Sequence, residues 1–143
     1  MRRLPWRRFT KDSAASAAVE FAIVAPVLVT MLAGLLTYGV YFGLAHSVQQ
    51  LAADAVRASI GGLSDAEREQ LARAHVAASA NQYVLIDPAR VSVAARPAPS
   101  NANTFEVVVT YDAEGLALWT LDGLAPTPTK TIARSAAIRR GGY

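Results

Sequence analysis

Residues 21–44 read FAIVAPVLVTMLAGLLTYGVYFGL, and no Lys, Arg, Asp or Glu occurs anywhere in 21–53. A helix rises about 1.5 Å per residue, so roughly 20 apolar residues cross the ~30 Å hydrocarbon core of a bilayer. A soluble helix of this length would carry a polar face, and this one does not. The stretch therefore reads as a membrane span, with its backbone polar groups satisfied inside the helix. Its uncharged length exceeds the apolar core of a secretory signal, about 7 to 15 residues, which argues against a cleaved signal despite the small residues around Gly43 and Ala45.

The flanks orient the span. Arg2, Arg3, Arg7, Arg8 and Lys11 precede it, and the first basic residue after it is Arg57. The positive-inside rule then places the N-terminus in the cytoplasm and exports the rest. Net charge is +3, yet residues 46–143 hold nine basic and nine acidic side chains. The excess belongs to the leader, so no basic surface for nucleic acid is expected outside the membrane. Cysteine is absent, so the exported part holds its fold by packing without disulfides.

Past the bilayer, Leu44, Val48, Leu51, Ala52, Ala55, Val56 and Ile60 recur at steps of three and four, and no Gly or Pro intervenes before Gly61-Gly62. The spacing predicts one continuous rod over 16–60, about 65 to 70 Å long. Its outer half carries a narrow apolar stripe that needs a partner: either another helix or the chain's own exported domain.

The mouth of the span reads Ser16-Ala17-Ala18-Val19-Glu20-Phe21-Ala22-Ile23-Val24-Ala25-Pro26-Val27-Leu28. This segment resembles the N-terminal signature of the TadE-like pseudopilins, minor pilin-like components of the bacterial tight-adherence (Flp) pilus. The resemblance implies a leader cut by a prepilin peptidase between Ala15 and Ser16, with Glu20 as the fifth mature residue. The family pattern has Gly before the cut, where this chain has Ala15. The resemblance further implies a non-catalytic role in assembling a type IVc pilus of a cell-adhesion and secretion system. The implied partners are other pseudopilins, the major pilin and the inner-membrane assembly platform. It places the chain in the bacterial inner membrane by a single pass, with its C-terminal domain periplasmic.

Glu20 also has a reading from its chemistry. A carboxylate at the edge of hydrocarbon is costly unless it meets a cation or a helix N-terminus. A neighbouring subunit's free amine would supply the cation and set axial register; alternatively Glu20 sits in the headgroup layer. Pro26 removes one backbone donor and loosens the helix near Ala22. Gly39 and Gly43 form a small-xxx-small pair that permits close helix approach, and Tyr38, Tyr41 and Phe42 suit an interfacial aromatic belt.

The exported domain opens with Ser64-Asp65-Ala66-Glu67, a capping box that predicts a helix to about Ala80. Alternation predicts strands over 90–95 and 104–112, the second with Phe105, Val107, Val109 and Tyr111 on one face. Residues 96–103, RPAPSNAN, read as the turn between them. Residues 83–86 suit a short strand or an apolar lead-in, and 116–124 a loop or short helix capping the sheet. Residues 130–139 fit strand or helix by period; the resemblance implies strand.

The expected architecture is α+β. Residues 1–15 form a basic cytoplasmic leader, 16–60 a transmembrane and extended assembly helix, and 61–143 an exported head. The head is expected to hold one helix and an antiparallel sheet of three or four strands. Neither cofactor nor metal site nor catalytic residue is expected: His46 and His75 stand apart among alanines, and no phosphate loop, HExxH or GxSxG motif occurs. The alternative to a pseudopilin is a signal-anchored envelope accessory protein whose head binds a partner without entering a filament.

Overall fold

The computed structural model describes residues 13–123 and 126–139. The basic leader through Lys11, and with it the orientation argument, lies outside the described residues. Helix α1 covers Ser13–Ala58 and passes through Pro26 without a break. The Pro26 carbonyl accepts a hydrogen bond from Thr30 Oγ1 at 2.9 Å, one turn on. The described rod already includes Ser13, three residues before the predicted start. It ends as expected, in a 3₁₀ turn at Ser59–Gly61. Gly62 is needed at the exit because a Cβ there would lie 2.7 Å from the Arg68 backbone nitrogen.

Helix α2, Asp65–Ser79, starts at the predicted cap. Ser64 Oγ accepts from the Glu67 backbone N–H at 3.2 Å, and the Glu67 carboxylate accepts in return from the Leu63 N–H at 2.8 Å. One of the orphan donors that any helix start leaves is thereby satisfied, and the residue before the cap is tied to the first turn. The described residues of the head contain three strands: β1 (Val91–Ala98), β2 (Asn101–Asp112) and β3 (Thr131–Arg139). They form one antiparallel sheet in the order β1-β2-β3, with Val93 opposite Val109 and Phe105 opposite Ile138.

One sequence expectation is corrected and one open alternative is decided. The segment 96–103 is mostly strand: the β1–β2 hairpin runs on through Pro97, with a register shift between Pro97 and Ala98 and the turn itself reduced to Pro99-Ser100. Proline is tolerated because β1 is an edge strand, where its missing N–H costs no ladder bond on the open side. Residues 83–86 form no strand but a turn closed by Ile86 N–H to the Tyr83 carbonyl at 3.0 Å.

The core lies between the sheet and the outer half of α1. Leu44, Val48, Leu51, Ala52, Ala55 and Val56 are buried against β2 and β3, and α2 adds Ala72 and Val76 beside β1. Phe105, Val107, Val109 and Tyr111 are all fully buried, so the predicted face of β2 is the core face. The stripe on the rod thus has its partner within the chain. Along edge strand β3, Arg134 shares the inner face with Ile132, Ala136 and Ile138 and is half-buried. An inward-pointing charge of this kind guards a sheet edge against pairing with another strand.

The connection from β2 to β3 is closed at its neck by the Ala113 N–H donating to the Lys130 carbonyl at 2.8 Å. Within it a 3₁₀ segment, Ala117–Leu121, packs on α1. Trp119 Nε1 donates to the Ala113 carbonyl at 2.5 Å, and Lys130 Nζ stands 6.0 Å from the Trp119 ring centre.

Candidate functional site

The residues singled out for processing and pairing lie at the start of α1. Ala15, Ser16 and Glu20 are all exposed. Ser16 and Glu20 are one helical turn apart and share a face of the helix. The Ala15–Ser16 peptide bond lies within the first described turn of α1. Glu20 is the one Asp, Glu, Lys or Arg between Ser13 and Ala53. It makes no ion pair or hydrogen bond with another described residue.

Beyond Glu20 the rod is bare. Val19, Phe21, Ile23, Val24, Val27, Leu28, Met31, Leu32, Leu35 and Leu36 are each half or more exposed. So many large apolar side chains facing outward all round a helix demand an apolar surrounding, whether lipid or neighbouring helices. The cover is not evenly absent: Ala33 and Thr37, one turn apart, are buried, and the Thr37 hydroxyl has no hydrogen-bond partner among the described residues.

Gly39 and Gly43 are not presented as one open pair. Nothing lies within 4 Å of a Cβ built at Gly39, but at Gly43 such a Cβ would meet Leu85 Cδ1 at 3.3 Å. Gly43 thus admits the head's own loop close to the rod, and Gly39 remains open. Tyr38, Tyr41 and Phe42 form a tilted and an edge-on ring contact, with centroids 6.1 and 5.8 Å apart.

One polar connection was not anticipated from the sequence. The Tyr83 hydroxyl donates to Asp54 Oδ2 at 3.4 Å, and Asp54 also pairs with Arg57 one turn along. Burial, then the nearby Asp54 charge and its hydrogen bond, push the Tyr83 hydroxyl above the usual tyrosine range. The contact joins residues 29 positions apart, so no local spacing signals it.

An exposed acid at the head of an uncharged helix, followed by an unbroken rod into a small sheet, is now in place as geometry. Residues 15–57 match the sequence model of the TadE-like protein family. The TadE-like segment begins at the residue before the expected cut and ends one residue short of the end of α1. It contains Glu20, the bare span, and the outer half that completes the head core. The head itself, from α2 to β3, lies beyond the match. Comparison with curated proteins and with solved structures yields no match.

His46 and His75 remain apart. Each hydrogen-bonds a polar neighbour one turn away on its own helix, Gln50 at 3.2 Å and Ser79 at 3.4 Å. Among the described residues no three His, Cys, Asp or Glu side chains gather as a metal site.

Proposed function

We propose that this chain is a non-catalytic, pseudopilin-like component of a tight-adherence pilus system. It is anchored in the bacterial inner membrane by α1, with its N-terminus cytoplasmic and its head on the far side. The observation that carries this reading is the coincidence of the TadE-like segment 15–57 with a rod whose large apolar side chains stand exposed from Val19 to Leu36 and that is opened by the lone acid Glu20. A prepilin peptidase cuts between Ala15 and Ser16. The new Ser16 amine of one subunit then meets Glu20 of another, a charge pair whose value rises in a low-dielectric surrounding. Similar helices, the major pilin and the assembly platform are the partners.

The test is the mature N-terminus of the membrane-bound protein in a host with its own prepilin peptidase, together with Glu20→Gln. A terminus at Ser16, with piliation lost in the variant while the variant is still cleaved and membrane-bound, is the expected outcome. An intact leader in the presence of an active peptidase refutes the processing step.

Ala15 in place of Gly favours a second reading, a permanently anchored accessory protein whose head binds an envelope partner. Under that reading the leader stays on and Glu20→Gln leaves piliation unchanged.

A further inference from the structure

We propose that the head is seated on the membrane it leaves: the turn at Tyr83-Val84-Leu85-Ile86 enters the outer boundary of the hydrocarbon beside α1. The inference rests on the reading of α1 as a membrane span.

Residues 81–86, Asn-Gln-Tyr-Val-Leu-Ile, carry no charge. Ile86 is buried and anchors the turn in the core, whereas Val84 is 100% exposed and Leu85 41%. A single exposed apolar residue decides nothing by itself. Its height along the rod does.

The uncharged span opens at Phe21, and about 20 residues at the helical rise bring the far edge of the hydrocarbon to about Val40. Val84 and Leu85 line one groove with Val40 and Leu44, and Leu85 packs over Gly43. The most exposed apolar turn of the head is thus within about one helical turn of the lipid boundary. Leu63 is nearly as exposed, at 93%, but follows the opposite end of α1, about 30 Å further along.

The surroundings at that height are those of an interface. Tyr38, Tyr41 and Phe42 cluster on one side of the rod, and Leu116, which lines the same groove, leads into the segment Ala117–Leu121, which packs on α1 and carries the amphipathic Trp119 with Lys130 over its ring. Aromatic rings and a lysine that can reach outward to headgroups characterise the edge of a bilayer. Protein cover continues below it at Thr37 and Ala33, so the seat does not stand clear of the lipid. Outside that cover, the surface that meets Val84 is the same lipid that meets the exposed Leu35 and Leu36.

The chain has no cysteine, so Val84→Cys and Leu63→Cys each provide one labelling site. Both side chains are exposed, and neither substitution removes core packing. The full chain is reconstituted in vesicles of phosphatidylethanolamine and phosphatidylglycerol and spin-labelled, and collision with oxygen is compared with collision with a water-soluble nickel chelate. The ratio of oxygen to nickel access is expected to be at least threefold higher at position 84 than at 63. Equal ratios overturn the proposal. Spin–spin broadening at position 84 that grows with protein density, with both reagents excluded, also overturns it and assigns the turn to a second copy. Release of the protein from vesicles at alkaline pH overturns the spanning reading itself, and is distinguished from failure of the seat alone, in which the protein stays embedded and only the ratio falls.

Discussion

Leu51→Ala tests whether the rod is part of the head. Leu51 is fully buried in the outer half of α1, among Val48, Ala52, Ala55 and the core face of β2. Truncating a leucine in such a core costs about 2 to 5 kcal/mol, the upper part of the range where the walls cannot collapse into the space. Here the walls are a rigid helix and a three-stranded sheet, so a loss of about 3 kcal/mol is expected. Domains of this size shift by roughly 4 to 8 °C per kcal/mol, which predicts a fall in Tm of about 12 to 24 °C. The assay is unfolding of the head in detergent-solubilised full-length protein, followed by near-ultraviolet circular dichroism and resistance to protease. Leu36→Ala is the control, since Leu36 is 65% exposed on the span and contributes nothing to the head core. A shift below about 1 kcal/mol in Leu51→Ala, or equal shifts in both variants, refutes the claim that the rod completes the core.

Other consequences are smaller. Ser64→Ala removes the oxygen that caps α2 and is expected to lower head stability by about 0.5 to 2 kcal/mol, measured by the same unfolding assay. Because the Tyr83 hydroxyl is held above its ordinary value of about 10, its contribution is complete below that pH and is lost as pH rises through the folded value. Stability of the wild-type head is therefore expected to fall more steeply above pH 10 than that of Tyr83→Phe, read from unfolding midpoints across pH 8 to 11.

The legible parts of this fold are those whose signals are local. The cap at Ser64 and Glu67 was readable because three residues set its geometry, and the core face of β2 because period-two alternation from Phe105 to Tyr111 survives any packing. The hairpin around Pro97 was misread because proline's meaning depends on whether a strand is central or edge, and strand order is not a local property. The sheet is three-stranded because 83–86 closes as a turn, its Ile86 drawn into the core while Val84 is left outside.

The candidate surface divides in the same way. Glu20 stands out in sequence because one charge beside a long uncharged run is conspicuous in one dimension. The span length likewise follows from counting residues. That Gly43 receives Leu85, that Tyr83 reaches Asp54, and that the stripe of α1 is covered by the chain's own sheet were decided only by tertiary structure. An apolar stripe specifies that it must be buried, since water is a poor solvent for it, but hydrophobic burial is non-directional and does not name the partner. Only the path of the chain through β2 and β3 settles which surface arrives there.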